Sequence, residues 1–95
     1  MVKINLFATF RLIAGIKSFD LDLPAGTSVI STIHRIVERY PILRSHWLDT
    51  AGELHAHVHV FVNGDDALTL PAGLDTPLRP GDTLDFFPPV AGGSL

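Results

Sequence analysis

Apolar and polar residues alternate along several stretches of the chain. In residues 2–8, Val2, Ile4, Leu6 and Ala8 alternate with Lys3, Asn5 and Phe7, the period of a half-buried strand. Residues 18–23 repeat it, with Phe19, Leu21 and Leu23 against Ser18, Asp20 and Asp22. Gly15 lies between the two, so the pattern predicts a hairpin with a long loop. Pro24-Ala25-Gly26 breaks the alternation, and the period then changes. Val29, Ile33, Ile36, Val37 and Tyr40 recur at helical spacing with Ile30 beside them, while Ser31, Thr32, Arg35, Glu38 and Arg39 fill the other side. This predicts an amphipathic helix about 18 Å long, from a rise of about 1.5 Å per residue. Thr27 or Ser28 offers its N-cap hydroxyl, and Pro41 ends it.

The second half is strand-rich. Residues 41–53 read as irregular with one short helical turn, and Trp47 and Leu48 are expected to close the bottom of the core. Residues 54–63 carry the longest alternation: Ala56, Val58, Val60 and Val62 face one way, and His55, His57, His59 and Phe61 the other. Asn63-Gly64 is a strong turn dipeptide. Residues 67–70 read as a short strand, residues 71–80 as a loop, and Pro80-Gly81 as a turn. Residues 82–87 form a last strand with Leu84 and Phe86 inward, ended by Pro88-Pro89 because proline has no N–H to donate. The order β-β-α-β-β-β predicts an α+β roll: one main helix packed across one face of a mixed sheet of four to five strands. Residues 1–90 form the domain, and residues 91–95 are expected to be a mobile tail.

Composition narrows the function. Ninety-five residues suit one domain, and 46% hydrophobic content permits a small core. With no cysteine, disulfides, thiolate zinc sites and cysteine nucleophiles are excluded. The alternating N-terminus lacks the apolar run of a signal peptide, and no stretch is long enough to cross a membrane. A cytoplasmic protein without a membrane partner is expected. The net charge of −3 argues weakly against nucleic acid. It is unevenly spread. Residues 1–47 hold six cations against three anions, a net of +3; residues 48–95 hold Arg79 against seven carboxylates, a net of −6. Ordinary solvated surface, or an acidic face for a basic partner, accounts for this split.

The residues after Pro89 carry the strongest functional signal. The run LRPGDTLDFFPPVAGG, the VNGDD turn, the strand order and the near-terminal double glycine together resemble the ubiquitin-like sulfur carriers, the ThiS/MoaD-like family with the β-grasp fold. A lone Gly-Gly is weak evidence; this ordered set over nearly the whole chain is specific. Residues 54–66 are similar to the carrier for bacterial cysteine synthesis.

The resemblance implies that Gly93 supplies the working carboxylate. A ubiquitin-activating-type adenylating enzyme spends ATP to convert it to an acyl-adenylate, sulfur transfer gives a thiocarboxylate, and a sulfur-accepting biosynthetic enzyme receives the sulfur. Val90, Ala91 and Gly92 thread into the partner, where glycine allows close backbone approach. The carrier is not itself an enzyme and needs no bound cofactor. Here the chain continues with Ser94 and Leu95, so Gly93 sits in a peptide bond. A pro-form is implied, cut between Gly93 and Ser94 by a zinc-dependent peptidase. The acceptor pathway stays open among cysteine or a related small thiol, molybdopterin, thiamine, a secondary metabolite and transfer-RNA thiolation, with the first favoured. A ubiquitin-like modifier joined through Gly93 to target lysines is the alternative, and an interaction subunit with an inert tail is the third reading.

Phe7, Phe61 and Phe87 fall at outward positions of the first, third and last strands. In the β-grasp order these strands are adjacent, so the rings are expected to form one patch for partner docking. His55, His57 and His59 share a strand face, but alternate residues lie about 6.5–7 Å apart, too far for three to ligate one metal without bending. They read as a solvated face, and no metal site is expected. Asp65, Asp66 and Asp82 read as turn residues that cap local N–H groups.

Overall fold

The structure, a computed structural model, describes residues 1–89. A five-stranded sheet runs in the order β2-β1-β5-β3-β4, built from β1 (Val2–Leu6), β2 (Ser18–Leu21), β3 (His59–Val62), β4 (Asp65–Asp66) and β5 (Thr83–Phe87). The central pair β1 and β5 is parallel; β1–β2, β5–β3 and β3–β4 are antiparallel. Ile4 lies beside Leu84 and Leu6 beside Phe86, while Val60 and Val62 face Phe86 and Leu84 from the other side. These inward residues are fully or almost fully buried. They come from distant parts of the sequence, which is what the period-2 alternation requires once the strands align.

Helix α2 (Val29–Arg39) lies across the inner face and buries Val29, Thr32, Ile33, Ile36 and Val37. Ser28 is its N-cap, with the side-chain oxygen accepting from Ser31 N at 3.1 Å. Thr32, expected on the polar side, is buried instead; its hydroxyl donates to the Ser28 carbonyl at 2.8 Å, which removes the cost of burying it. Beyond Pro41, a 3-10 turn and the short helix α3 (Arg44–Trp47) carry Leu43, Trp47 and Leu48 into the core. The Trp47 ring stacks on Phe86 at 4.2 Å and meets Phe10 edge-on at 5.6 Å. The core therefore closes at this end as expected, although the buried Trp47 Nε1 has no hydrogen-bond partner among the described residues.

Three segments differ from their sequence patterns. The β1–β2 connection holds a helix, α1 (Thr9–Ala14), which buries Phe10 and ends at Gly15 in the left-handed conformation. The strand expected over 54–63 starts only at His59. Its last ladder partner is Phe87, and the next residue on β5 is Pro88, which cannot extend the ladder. Residues before His59 form turns, Val58 N donating to the His55 carbonyl at 3.1 Å, and Ala56 is exposed rather than inward. Residues 67–70 are not a strand: Ala67–Thr69 is a 3-10 turn capped by Asp66, whose Oδ1 accepts from Leu68 N at 3.0 Å. That side chain offers the backbone a local partner in place of a sheet. The Asn63-Gly64 turn is as predicted, with φ of 50° and 89°. Among the described residues no helix is long and apolar enough to cross a membrane.

Candidate functional site

The inner side chains of β1, β3 and β5 leave their alternate neighbours on the outer face of the sheet. Phe86 points inward, so Phe87 points outward; Phe61 lies between inward Val60 and Val62; Phe7 follows inward Leu6. Because β5 runs between β1 and β3, three residues far apart in sequence converge. Phe7 and Phe87 stack with centroids 4.3 Å apart and planes 8° apart, and Phe61 meets Phe87 edge-on at 5.5 Å. All three are half-buried. The patch expected from the sequence is therefore formed, with Phe87 as its central ring. The chain leaves β1 through Ala8, whose φ of 52° is uncommon outside glycine.

The rings are framed by polar groups. The Arg11 guanidinium carbon lies 5.6 Å from the Phe7 centroid, within cation–π reach, and its Nε donates to the Leu6 carbonyl at 3.1 Å. On β5, two residues before Phe87, Asp85 lies between Asn5 of β1 and Phe61 of β3 in the ladder, and Asn5 Nδ2 donates to Asp85 Oδ1 at 2.8 Å. His59, Phe61, Phe87 and Pro88 line a shallow apolar groove. The sequence pattern does not mark Arg11, Asn5, Asp85 or His59 as part of this surface. Strand pairing, and not spacing along the chain, brings them there; the outward parity of Asn5 and Asp85 was the available signal.

Pro88 closes the groove two positions before Val90. The tail positions Val90, Ala91, Gly92 and Gly93, and the Gly93–Ser94 processing bond, lie outside the described residues. The expected domain limit at residue 90 and the tail 91–95 fall there too.

The other candidates resolve into local structure. His55 and His57 stack at 5.0 Å in the turn before β3, while His59 lies on β3 beside Phe87, so the three do not share one strand face. Among the described residues there is no group of three or more side chains able to hold a metal. Asp66 caps its turn, and Asp82 accepts from Arg79 N at 2.8 Å and Asn63 Nδ2 at 3.1 Å. Asp49 accepts from Ala51 N and Glu53 N, and Asp85 from Asn5. Local hydrogen bonding thus engages four of the seven carboxylates that make residues 48–95 acidic.

The ThiS family profile matches residues 4–93. Small archaeal modifier protein 3 of Haloferax volcanii is 34% identical over 92 residues, covering 97% of this chain and 98% of that protein. The crystal structure of small archaeal modifier protein 1 from Haloferax volcanii superposes with a TM-score of 0.86 at 32% identity, covering 97% of this chain and 98% of that one. The crystal structure of the Amycolatopsis orientalis BexX/CysO complex contains a chain that superposes with a TM-score of 0.78 at 28% identity, covering 98% of this chain and all of that one.

Proposed function

This chain belongs to the ThiS family of small ubiquitin-like sulfur carriers and modifiers, and on that premise we propose that it is the pro-form of a sulfur carrier whose working group is the Gly93 carboxylate. The observation that carries the reading is the family match, which runs through to residue 93 and so includes the double glycine. A peptidase, of the zinc-dependent class, hydrolyses the Gly93–Ser94 bond. The freed carboxylate attacks the α-phosphate of ATP in an adenylating enzyme, releasing pyrophosphate. In the resulting acyl-adenylate AMP is the leaving group, and attack of hydrosulfide on the carbonyl carbon forms the C–S bond and expels AMP to leave the thiocarboxylate. The carrier is then the enzyme's substrate. Beyond the Gly93 carboxylate it supplies no acid, base or metal to the chemistry and needs no resident cofactor, ATP being consumed by the partner in the cytoplasm.

The aromatic face gives such an enzyme a place to hold the domain while Val90, Ala91 and Gly92 thread Gly93 into its active site. Phe7, Phe61 and Phe87 supply an apolar centre, and the position of Phe87 as the last residue of β5 supports this role, since Pro88 belongs to the same groove. The resemblance of residues 54–66 to the carrier for bacterial cysteine synthesis favours a small thiol, cysteine or a related compound, as the destination of the sulfur. Molybdopterin, thiamine, a secondary metabolite and transfer-RNA thiolation are the alternative destinations.

A second reading rests on the relatives named as modifiers. The same activated Gly93 acylates a lysine Nζ of a target protein, AMP leaving and an isopeptide bond forming. The intact mass of the protein from its native cells separates these outcomes. A chain ending at Gly93, part of it heavier by the exchange of one oxygen for sulfur, is the expected result. Higher-mass adducts with no sulfur on the free chain would favour the modifier. Retention of Ser94 and Leu95 under every growth condition would overturn both.

A further inference from the structure

Asp85 falls between buried Leu84 and Phe86, so its side chain lies on the outer face of the sheet, where it is half-buried. It stands on the central strand, inside the surface proposed above for docking. Asn5 of β1 and Phe61 of β3 are its ladder neighbours, and Phe87 follows two residues on. Its partner is a neutral donor, Asn5 Nδ2, bound to Oδ1 at 2.8 Å. The cations of this face are placed elsewhere. Lys3 stands opposite Asp20 in the β1–β2 ladder, and Arg11 lies over the Phe7 ring with its Nε on the Leu6 carbonyl. Among the described residues Trp47 Nε1 is the buried side-chain polar atom without a partner. Asp85 Oδ2, with no described hydrogen bond, is not sealed off in that way and keeps its contact with water. A partner that covers the rings strips that water. An ionised carboxylate buried without a compensating donor is strongly unfavourable, so a partner on this face must replace the water with a donor of its own. A cationic donor fills the lone pairs and also offsets the charge. Arginine suits the place best, because its planar guanidinium stacks on aromatic rings while it donates to a carboxylate, and Phe61 and Phe87 adjoin Asp85.

We propose that Asp85 is the specificity-determining residue of the docking surface, and that the adenylating enzyme presents to it an arginine whose guanidinium donates to the carboxylate and lies against the Phe61 and Phe87 rings. This pairing rests on the docking role proposed above for the face. The three rings accept any apolar surface of matching shape. The carboxylate accepts only a surface that brings a positive donor, because any other leaves a charge stripped of water and unpaired. The rings thus hold the enzyme, and Asp85 selects which enzyme is held.

A binding titration of the adenylating enzyme of the same cells with the 95-residue chain, repeated at several salt concentrations, tests this. Asp85→Asn keeps the size of the side chain and an oxygen for Asn5 but removes the charge. The expected result is binding weakened at least about thirtyfold, because the enzyme's cation is left unpaired, with a shallower salt dependence than that of the wild-type chain. Asp85→Arg abolishes binding, and exchange of the enzyme's arginine for glutamate restores it. In ATP–pyrophosphate exchange with the chain ending at Gly93, Asp85→Asn raises KM and leaves kcat unchanged. Should Asp85→Asn disturb the fold by circular dichroism, Asp85→Ala takes its place and must weaken binding in the same sense. Binding that is unchanged or tightened in the Asp85 variants while Phe87→Ala weakens it overturns this proposal alone, since the enzyme then covers the rings without a cation and gains from removal of the charge. Binding undiminished in Phe87→Ala, or absent from the wild-type chain, overturns the docking face and this proposal with it.

Discussion

Phe86 and Phe87 are sequence neighbours with opposite roles. Phe86 is fully buried against Trp47, whereas Phe87 lies on the outer face between Phe7 and Phe61. Phe86→Ala leaves a cavity and is expected to destabilise the fold by about 3–5 kcal/mol. Phe87→Ala forfeits only the aromatic pairing of a half-buried ring, about 0.5–1.5 kcal/mol, but weakens docking of the adenylating enzyme by about 2 kcal/mol, roughly thirtyfold. Chemical denaturation and a binding titration on both variants check this; equal losses of stability would contradict the assignment of faces. Alternation alone made this contrast legible, because one residue step along a strand reverses the side-chain direction. Arg11 and Asp85 were not legible as neighbours of the rings, since α1 was hidden in an apparent loop and Asp85 reads as an ordinary polar strand position.

At the scale of elements, local side-chain chemistry marks where each one begins. Ser28 caps α2 through Ser31 N and holds Thr32 through its carbonyl. Ser28→Ala is expected to cost about 1 kcal/mol, which lowers Tm by about 4–8 °C for a domain of this size. The β3–β4 turn depends on Asn63 in two ways. Its φ of 50° is easier for asparagine than for most residues, and its amide bridges to β5, accepting from Thr83 N at 2.9 Å and donating to Asp82 at 3.1 Å. Asn63→Ala therefore strains the turn and strips both bonds, and an expected loss of about 1–3 kcal/mol in thermal unfolding checks the assignment. α2 and this turn were plain in the sequence because their signals are local. The late start of β3 was not. Its alternation continues back through 54–58, but the strand can exist only where β5 supplies a partner, and Pro88 ends that supply.

Across the whole molecule, the buried core runs from Val2 to Phe86 among the described residues, and the outer sheet face is separated from the exposed side of α2 by the sheet and the core. Two outcomes are expected. Removal of residues 94–95 is expected to leave Tm unchanged, because the described residues hold a closed core from Val2 to Phe86, while it makes the Gly93 carboxylate a substrate for adenylation; calorimetry and ATP–pyrophosphate exchange measure the two. Arg35→Ala, on the exposed side of α2, leaves docking unchanged where Phe87→Ala abolishes most of it. Sensitivity at Arg35 equal to that at Phe87 would place the docking surface on the helical side instead.

The amino-acid sequence by itself determined the kind of molecule: one amphipathic helix, alternating strands, a small cysteine-free core, and a double glycine placed after a proline pair. These are read from neighbours along the chain, where period, caps and turn residues act over a few positions. The tertiary structure decided which outward residues become one surface. Parallel pairing of β1 with β5 and antiparallel pairing of β5 with β3 set the first, last and third strands side by side, and that register joined Phe7, Phe61 and Phe87 and set Asp85 between Asn5 and Phe61. Register is fixed by burial of the inner faces together, so no single stretch of sequence contains it.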